Sequence, residues 1–258
     1  MKKRRIVIKI GSNVLTRQDG KLDVTRMSAL VDQIAWLRKH DIEVILVSSG
    51  AVACGRRELT VDHSLDSVEQ RQLFSAVGQV KLVGLYYDLF REFNIHVGQV
   101  LTMKENFEPG EQYRNQQACM MVMLENNVLP IVNENDTVSV TELMFTDNDE
   151  LSGLIAQMME ADTLILLSNI DGIFTTHPDD PTAELIREVA PGRDLSEYIQ
   201  PEKSAFGRGG MHSKYTTASK VSQSGIRVII ANGERENILT DLIERKDQTP
   251  HTEFLPCN

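Results

Sequence analysis

The sequence predicts an α/β protein, a three-layer sandwich with a mainly parallel central sheet, and three observations lead there. Short β-branched runs alternate with amphipathic helical segments along nearly the whole chain. The runs are apolar almost throughout instead of switching at every second residue, as strands covered by helices on both faces must be. Several of them end in small or polar residues, which in a parallel sheet gather along one rim, where ligands bind.

The elements follow in order. "RIVIKI" (5–10) reads as the first strand, with Lys9 as its one interior cation. A helix over 23–39 follows, with Met27, Leu30, Val31, Ile34 and Leu37 on one face. "EVILVSS" (43–49) is the second strand and a long helix runs over about 68–93. "HVGQVLTM" (96–103), a helix over 111–127 and "VLPIVNE" (128–134) continue the alternation. In "FTDNDELSGLIAQMMEA" (145–161), Leu151, Leu154, Ile155, Met158 and Met159 recur at helical spacing, so the helix is placed over 150–161. "TLILLSN" (163–169), a helix over 210–224 and "RVIIANG" (227–233) complete the pattern. The Pro-, Gly- and charge-rich stretch 175–210 reads as excursions over the mouth of a site.

Composition excludes several classes. With 37 acidic residues against 27 Lys plus Arg and a net charge of −10, a broad phosphate-backbone footprint is not expected, so nucleic acid is not a predicted partner. The basic start "MKKRRIVIKIGS" is followed by too short an apolar run for a signal peptide, and no run suits a membrane span. Three scattered cysteines without a CxxC pair fit a reducing cytoplasm, and the six histidines form no HExxH motif.

Candidate chemistry lies at the strand ends "KIGSN", "SSGA", "NENDTV" and "SNIDG". "GAVACGRR" (50–57) carries two Gly of a phosphate loop but has Arg56-Arg57 where Lys-Ser/Thr is required, and is rejected as one. "GRGGMHSK" (207–214) is no dinucleotide fingerprint, yet its clustered glycines let backbone N–H groups approach a phosphate, and Lys214 adds a point charge near the following helix start. Lys9 faces water if its strand is an edge; if the strand is central, Lys9 is delivered to the rim beside Gly11 and Ser12, where it can neutralise a transferring phosphate. The acids Asp147, Asp149 and Glu150, with Asn148, exceed what one helix cap requires.

"IKIGSNVLT", "VSSGAVACG", "SAVGQ", "HVGQVL", "PIVNENDTV", "DNDELS", "LLSNIDGIFT" and "GRGGMHSK", in this order, resemble the amino acid kinase family, and within it the members that phosphorylate glutamate. The resemblance implies that family's fold over residues 1–258, with about 1–160 mainly for the acceptor and 161–258 mainly for ATP. It implies transfer from ATP with Mg2+ to the γ-carboxylate of L-glutamate, the first step of proline synthesis, in the cytoplasm. By the same resemblance Lys9 and Lys214 flank the phosphoryl group, Asp149 holds the two lysines, and Asn148 helps bind glutamate. Asp147 does likewise or caps the helix. Asp136 meets the substrate ammonium, and Ser49, Gly50 and Ala51 receive substrate or phosphate oxygens. Ser168, Asn169, Arg208, Gly209, Gly210, Met211, His212 and Ser213 join Lys9 and Lys214 as nucleotide contacts, although relatives more often carry Asp at position 169 and a smaller polar residue at 208. Expected partners are a second copy of the chain, a glutamate-5-semialdehyde dehydrogenase and proline as feedback inhibitor. Many relatives carry a C-terminal module resembling RNA-modification domains, and the sequence ends near Asn258 without one; a catalyst without RNA affinity is expected. Another small-molecule kinase of the same fold, or a glutamate or proline sensor without turnover, are the alternatives.

Overall fold

The computed structural model describes residues 3–139, 145, 147–199 and 210–257. Strand β1 (Arg4–Ile10) leads through the short helix α1 (Ser12–Leu15) to α2 (Val24–Lys39) and β2 (Ile42–Ser48). Helices α3 (Ala51–Glu58) and α4 (Ser67–Arg91) precede β3 (His96–Thr102), α5 (Glu111–Glu125) and β4 (Val128–Glu134). Then come α6 (Asn148–Met158), β5 (Thr163–Ser168), the two-residue β6 (Glu188–Val189), α7 (Met211–Gln223), β7 (Arg227–Asn232), α8 (Ile238–Glu244) and β8 (His251–Phe254).

Among the described residues the strands form one eight-stranded sheet in the order β3-β4-β2-β1-β5-β7-β8-β6. Every pairing is parallel except β7 with β8. The strand alternation expected from the sequence is therefore observed, with the six anticipated strands shifted by no more than a residue at either end.

Side-chain alternation along β1 divides the core. Ile6, Ile8 and Ile10 enter the cluster with α2, α4 and α8. Val7 enters the cluster on the opposite face, with Leu151 and Ile155 of α6 and Ala218 and Val221 of α7. Lys9 has the parity of Val7, so the pleat turns its side chain toward α6 and α7. The expectation left open between edge and centre resolves to centre: β1 lies between β2 and β5, with Lys9 in register with Val47 and Leu166.

Besides the four-residue α1, four elements were not legible in the sequence. Helix α3 is only eight residues long and begins at Gly50, whose φ of 109° is open to glycine and costly for other residues. Its path is set by α4: a Cβ on Gly78 would stand 1.8 Å from the Ala51 carbonyl oxygen, and one on Gly55 would stand 1.9 Å from that of Phe74. The two glycines let the helix backbones touch. The others are β6, α8 and β8, of which β6 falls inside the stretch expected to be irregular and pairs with β8. Helix α6 also starts two residues earlier than its apolar periodicity implied, because Asp147 caps it at Asn148.

Candidate functional site

The carboxyl ends of β1, β2, β4 and β5 open into a cleft of about 770 Å³, within the roughly 300–1,000 Å³ usual for small-molecule sites. At its centre stands a buried triad. Lys9 Nζ lies 2.6 Å from Asp149 Oδ1, and Lys214 Nζ donates to Asp149 Oδ2 at 3.0 Å. Asp149 is 0% exposed, Lys9 4% and Lys214 6%. Three charges out of water need mutual compensation, and here one carboxylate serves two ammonium groups. Burial pulls the Lys9 pKa below that of a free lysine; Asp149 opposes this and Lys214 adds to it. Burial alone would raise the Asp149 carboxyl, but the two lysines outweigh it and hold the pKa below the ordinary value.

Each member comes from a different element. Lys9 is supplied by the pleat of β1, Asp149 by the first turn of α6 and Lys214 by the first turn of α7. Gly11 leaves room for this convergence: a Cβ there would stand 3.3 Å from Lys9 Nζ. Asp147 Oδ1 accepts from the N–H groups of Asp149 and Glu150, which fixes the start of α6. Burial raises the Asp147 carboxyl, and the adjacent Asp149 charge adds to the rise, while the Ser213 hydroxyl and Lys9 oppose it. Of the two expectations for Asp147, the cap is what its contacts display.

A polar chain joins this centre to one end of the cleft. Asn148 Nδ2 donates to Ser49 Oγ at 2.9 Å and to Asn133 Oδ1 at 3.0 Å. Asn133 Nδ2 in turn donates to Gln79 Oε1 on α4 at 3.0 Å. Beyond it lies an ion cluster: Arg71 Nε donates to Asp136 Oδ1 at 2.6 Å, Arg71 Nη2 to Glu134 Oε2 at 2.6 Å, and Nη2 also meets Asp136. Gly50 and Ala51 line the cleft beside Ser49 at the start of α3.

The opposite end is walled by Ser168 and Asn169 at the end of β5, by Gly172 to Phe174, and by Gly210 and Met211. Gly172 is pressed against β8, where Thr252 Oγ1 accepts from the Ile173 N–H and donates to the Ile186 carbonyl. Arg235 grips Asp171 through two bonds of 2.6 Å. Of the residues expected around the nucleotide, His212 is exposed and neither it nor Ser213 lines the cleft. Arg208 and Gly209 lie outside the described residues.

The cleft thus gathers Lys9, Ser49, Gly50, Ala51, Asp136, Asn148, Ser168, Asn169, Gly210, Met211 and Lys214, with Asp149 behind its two lysines. Sequence reasoning passed over Arg71, Glu134 and Asn133. Glu134 and Asn133 sat in the quoted "NENDTV" turn, so a signal existed for them. Arg71 lay inside a helical run, and its partners are 63 and 65 residues away.

Known proteins resemble this chain in sequence and in fold. Residues 4–232 match the model of the amino acid kinase family. A glutamate 5-kinase of Bacteroides thetaiotaomicron is 65% identical over 252 residues, covering 98% of this chain and 70% of that protein. One of Chlorobaculum tepidum is 48% identical over 237 residues, covering 92% of this chain and 65% of that protein. The chain thus spans about two thirds of the length of these relatives. Among solved structures, carbamate kinase from Giardia lamblia bound to AMP-PNP superposes with a TM-score of 0.71 at 16% identity, each chain being 99% covered. UMP kinase from Ureaplasma parvum superposes with a TM-score of 0.65 at 17% identity, over 99% of this chain and 100% of that one. At such identities the likeness is one of fold.

Proposed function

The chain belongs to the amino acid kinase family, and we propose that it transfers the γ-phosphoryl group of ATP to the γ-carboxylate of L-glutamate, giving L-glutamyl 5-phosphate and ADP at the head of proline synthesis. The observation that carries this reading is one carboxylate, Asp149, held between Lys9 and Lys214 in the middle of the cleft. The triad has an excess of positive charge, and phosphoryl transfer places negative charge at such a centre.

The acceptor carboxylate is ionised at neutral pH and needs no general base, so catalysis consists of alignment and charge stabilisation. A carboxylate oxygen forms a bond to the γ-phosphorus while the bond to the bridging oxygen breaks, and that electron pair leaves with ADP. Lys9 and Lys214 act on the phosphoryl oxygens, and Asp149 positions both lysines. Ser49 and the N–H groups of Gly50 and Ala51 receive oxygens of the acceptor or the phosphoryl group. Asn148 orients glutamate, and Asp136 receives its ammonium. Ser168, Asn169 and the segment from Arg208 to Lys214 hold the nucleotide, so residues up to about 160 mainly serve the acceptor and those from 161 mainly ATP. Mg2+ bound to the nucleotide neutralises phosphate charge. Among the described residues no group of three or more His, Cys, Asp or Glu side chains could hold a metal.

The described residues contain no helix long and apolar enough to cross a membrane. The dehydrogenase that must consume so labile an acyl phosphate is the partner this chemistry calls for, and a second copy of the chain and proline as end-product inhibitor complete the proposal. Incubation with ATP, Mg2+, glutamate and hydroxylamine tests the assignment: γ-glutamyl hydroxamate should accumulate in step with ADP. Glutamate-dependent ADP release without hydroxamate would point to another acceptor chemistry, and binding without turnover to a sensor.

A further inference from the structure

The Arg71 cluster at the proposed acceptor end is given no charge-stabilising role in the transfer step, and among the described residues its charges are unequal: one guanidinium faces two carboxylates, Glu134 and Asp136. Their side chains are only 6–13% exposed, yet the cluster lines the cleft. The two carboxylates are held differently. Glu134 ends β4, and while its Oε2 takes Arg71 its Oε1 accepts the Phe145 N–H at 3.2 Å. Asp136 sits after the strand, in a turn closed by the Val138 N–H on the Asn135 carbonyl. That turn is tied to α4 by Arg71 itself and by Gln72, whose Nε2 donates to the Thr137 carbonyl at 2.8 Å. Arg71 therefore has one counterion fixed in the sheet and one on a separate turn.

We infer that Arg71 reads the α-carboxylate of the acceptor by ion-pair exchange, the substrate's ammonium taking over Asp136 while its α-carboxylate takes the face of the guanidinium that Asp136 covers in the free protein. This rests on the glutamate kinase reading and adds the determinant of acceptor specificity. The exchange keeps every charge paired as water leaves. Glu134 holds Arg71 throughout, the ammonium replaces the guanidinium on Asp136, and the α-carboxylate replaces Asp136 on the guanidinium. The planar fork of arginine suits a carboxylate through two parallel bonds, which a lysine cannot supply. Other cations on the described cleft wall are placed for different work. Lys9 and Lys214 are committed to Asp149, and Arg56 lies over the Phe74 ring, 5.8 Å from its centroid.

Two acids dissect the claim, because each lacks one half of the amino acid head. 4-Aminobutyrate keeps the ammonium without the α-carboxylate; glutarate keeps both carboxylates without the ammonium. The glutamate KM and the inhibition constants of both acids, measured in competition with glutamate, should be compared for the wild type, Arg71→Met, Arg71→Lys and Arg56→Met. Arg71→Met should weaken glutamate and glutarate by roughly ten- to a hundredfold. It should leave 4-aminobutyrate unchanged or tighter, since the ammonium then no longer competes with the guanidinium for Asp136. Arg71→Lys, which keeps the charge and guards against a failure to fold, should show the same selectivity at roughly three- to tenfold, with the ATP KM unmoved. Equal weakening of all three acids would make Arg71 a structural strut, and selective loss in Arg56→Met in place of Arg71→Met would move the subsite to α3; either overturns the inference. A wild-type protein that forms hydroxamate on glutamate but fails this pattern refutes the exchange alone, whereas one inactive on glutamate removes the reading beneath it as well.

Discussion

The two ends of the reaction path carry charge clusters of opposite design. In the middle of the cleft two ammonium groups share one carboxylate; at the acceptor end two carboxylates share one guanidinium. The first is buried between the sheet and two helix starts, on residues from three separate elements, and has an excess of positive charge suited to a phosphoryl group. The second joins a helix, the end of β4 and the turn after it, with an excess of negative charge among the described residues suited to an ammonium. On the proposed roles, placement follows the sign of what must bind. The contrast also predicts how damage at each end reads out: the centre should act on charge that develops during transfer, the corner on charge already present in the bound amino acid.

Removing an ammonium from the centre is the most damaging change on this view. Lys9→Ala and Lys214→Ala should each lower kcat by roughly 10²–10³ with a much smaller change in the glutamate KM, because the lost contact strengthens as transfer proceeds. Asp149→Asn tests the same centre through its counterion and should also lower kcat. Its pH profile carries more information. Burial lowers the Lys9 pKa and the Asp149 charge opposes that fall. Removing the charge lets the Lys9 pKa drop further, so the alkaline limb of kcat/KM should move to lower pH in Asp149→Asn. An alkaline limb that stays in place would separate Asp149 from the protonation of Lys9.

Asp136→Asn probes the other cluster. If the carboxylate meets the substrate ammonium both before and during transfer, its loss weakens ground and transition states alike. The glutamate KM should then rise by roughly ten- to a hundredfold with kcat less affected and the ATP KM unmoved. A variant that chiefly loses kcat would erase the distinction between the two ends.

The difference between the clusters also governs what was legible in the sequence. The central triad left local marks: a cation inside an apolar strand, an acid beyond the needs of a helix cap, and a lysine just after clustered glycines. Each is an anomaly against the pattern of its own element, which marked Lys9, Lys214 and the acidic group at 147–150; that Asp149 in particular holds the two lysines was an expectation from the family resemblance. Asp136 was also within reach, in a polar strand end. Arg71 was not, because a cation on a long amphipathic helix is ordinary, and what makes it unusual is a pairing across 63 to 65 residues. The fold divides in the same way. Apolar strands and long amphipathic helices announce themselves through periodicity, whereas α3 is fixed by backbone contact at Gly55 and Gly78, which no period encodes. Of the glycines of "GAVACGRR" that invite comparison with a phosphate loop, Gly50 makes a left-handed turn and Gly55 makes that helix contact.

The link between the two ends should be the least sensitive part, and Ser49→Ala measures it. Asn148 follows the cap of the helix that carries Asp149, and its Nδ2 divides its two protons between Ser49 Oγ and Asn133 Oδ1. The alanine variant removes one acceptor and leaves the other, so Asn148 stays anchored from β4 and the helix start is undisturbed. A neutral hydrogen bond contributes about 0.5–1.5 kcal/mol net, which corresponds to a fall of roughly two- to twelvefold in kcat/KM for glutamate, with the ATP KM unchanged. Because the contact orients the acceptor without facing the developing charge, the loss should be shared between kcat and KM, unlike the one-sided losses expected at either cluster. A drop of two or more orders of magnitude confined to kcat would show that the Ser49 hydroxyl itself touches the transferring group, and would extend the central site from the three charged residues to the end of β2.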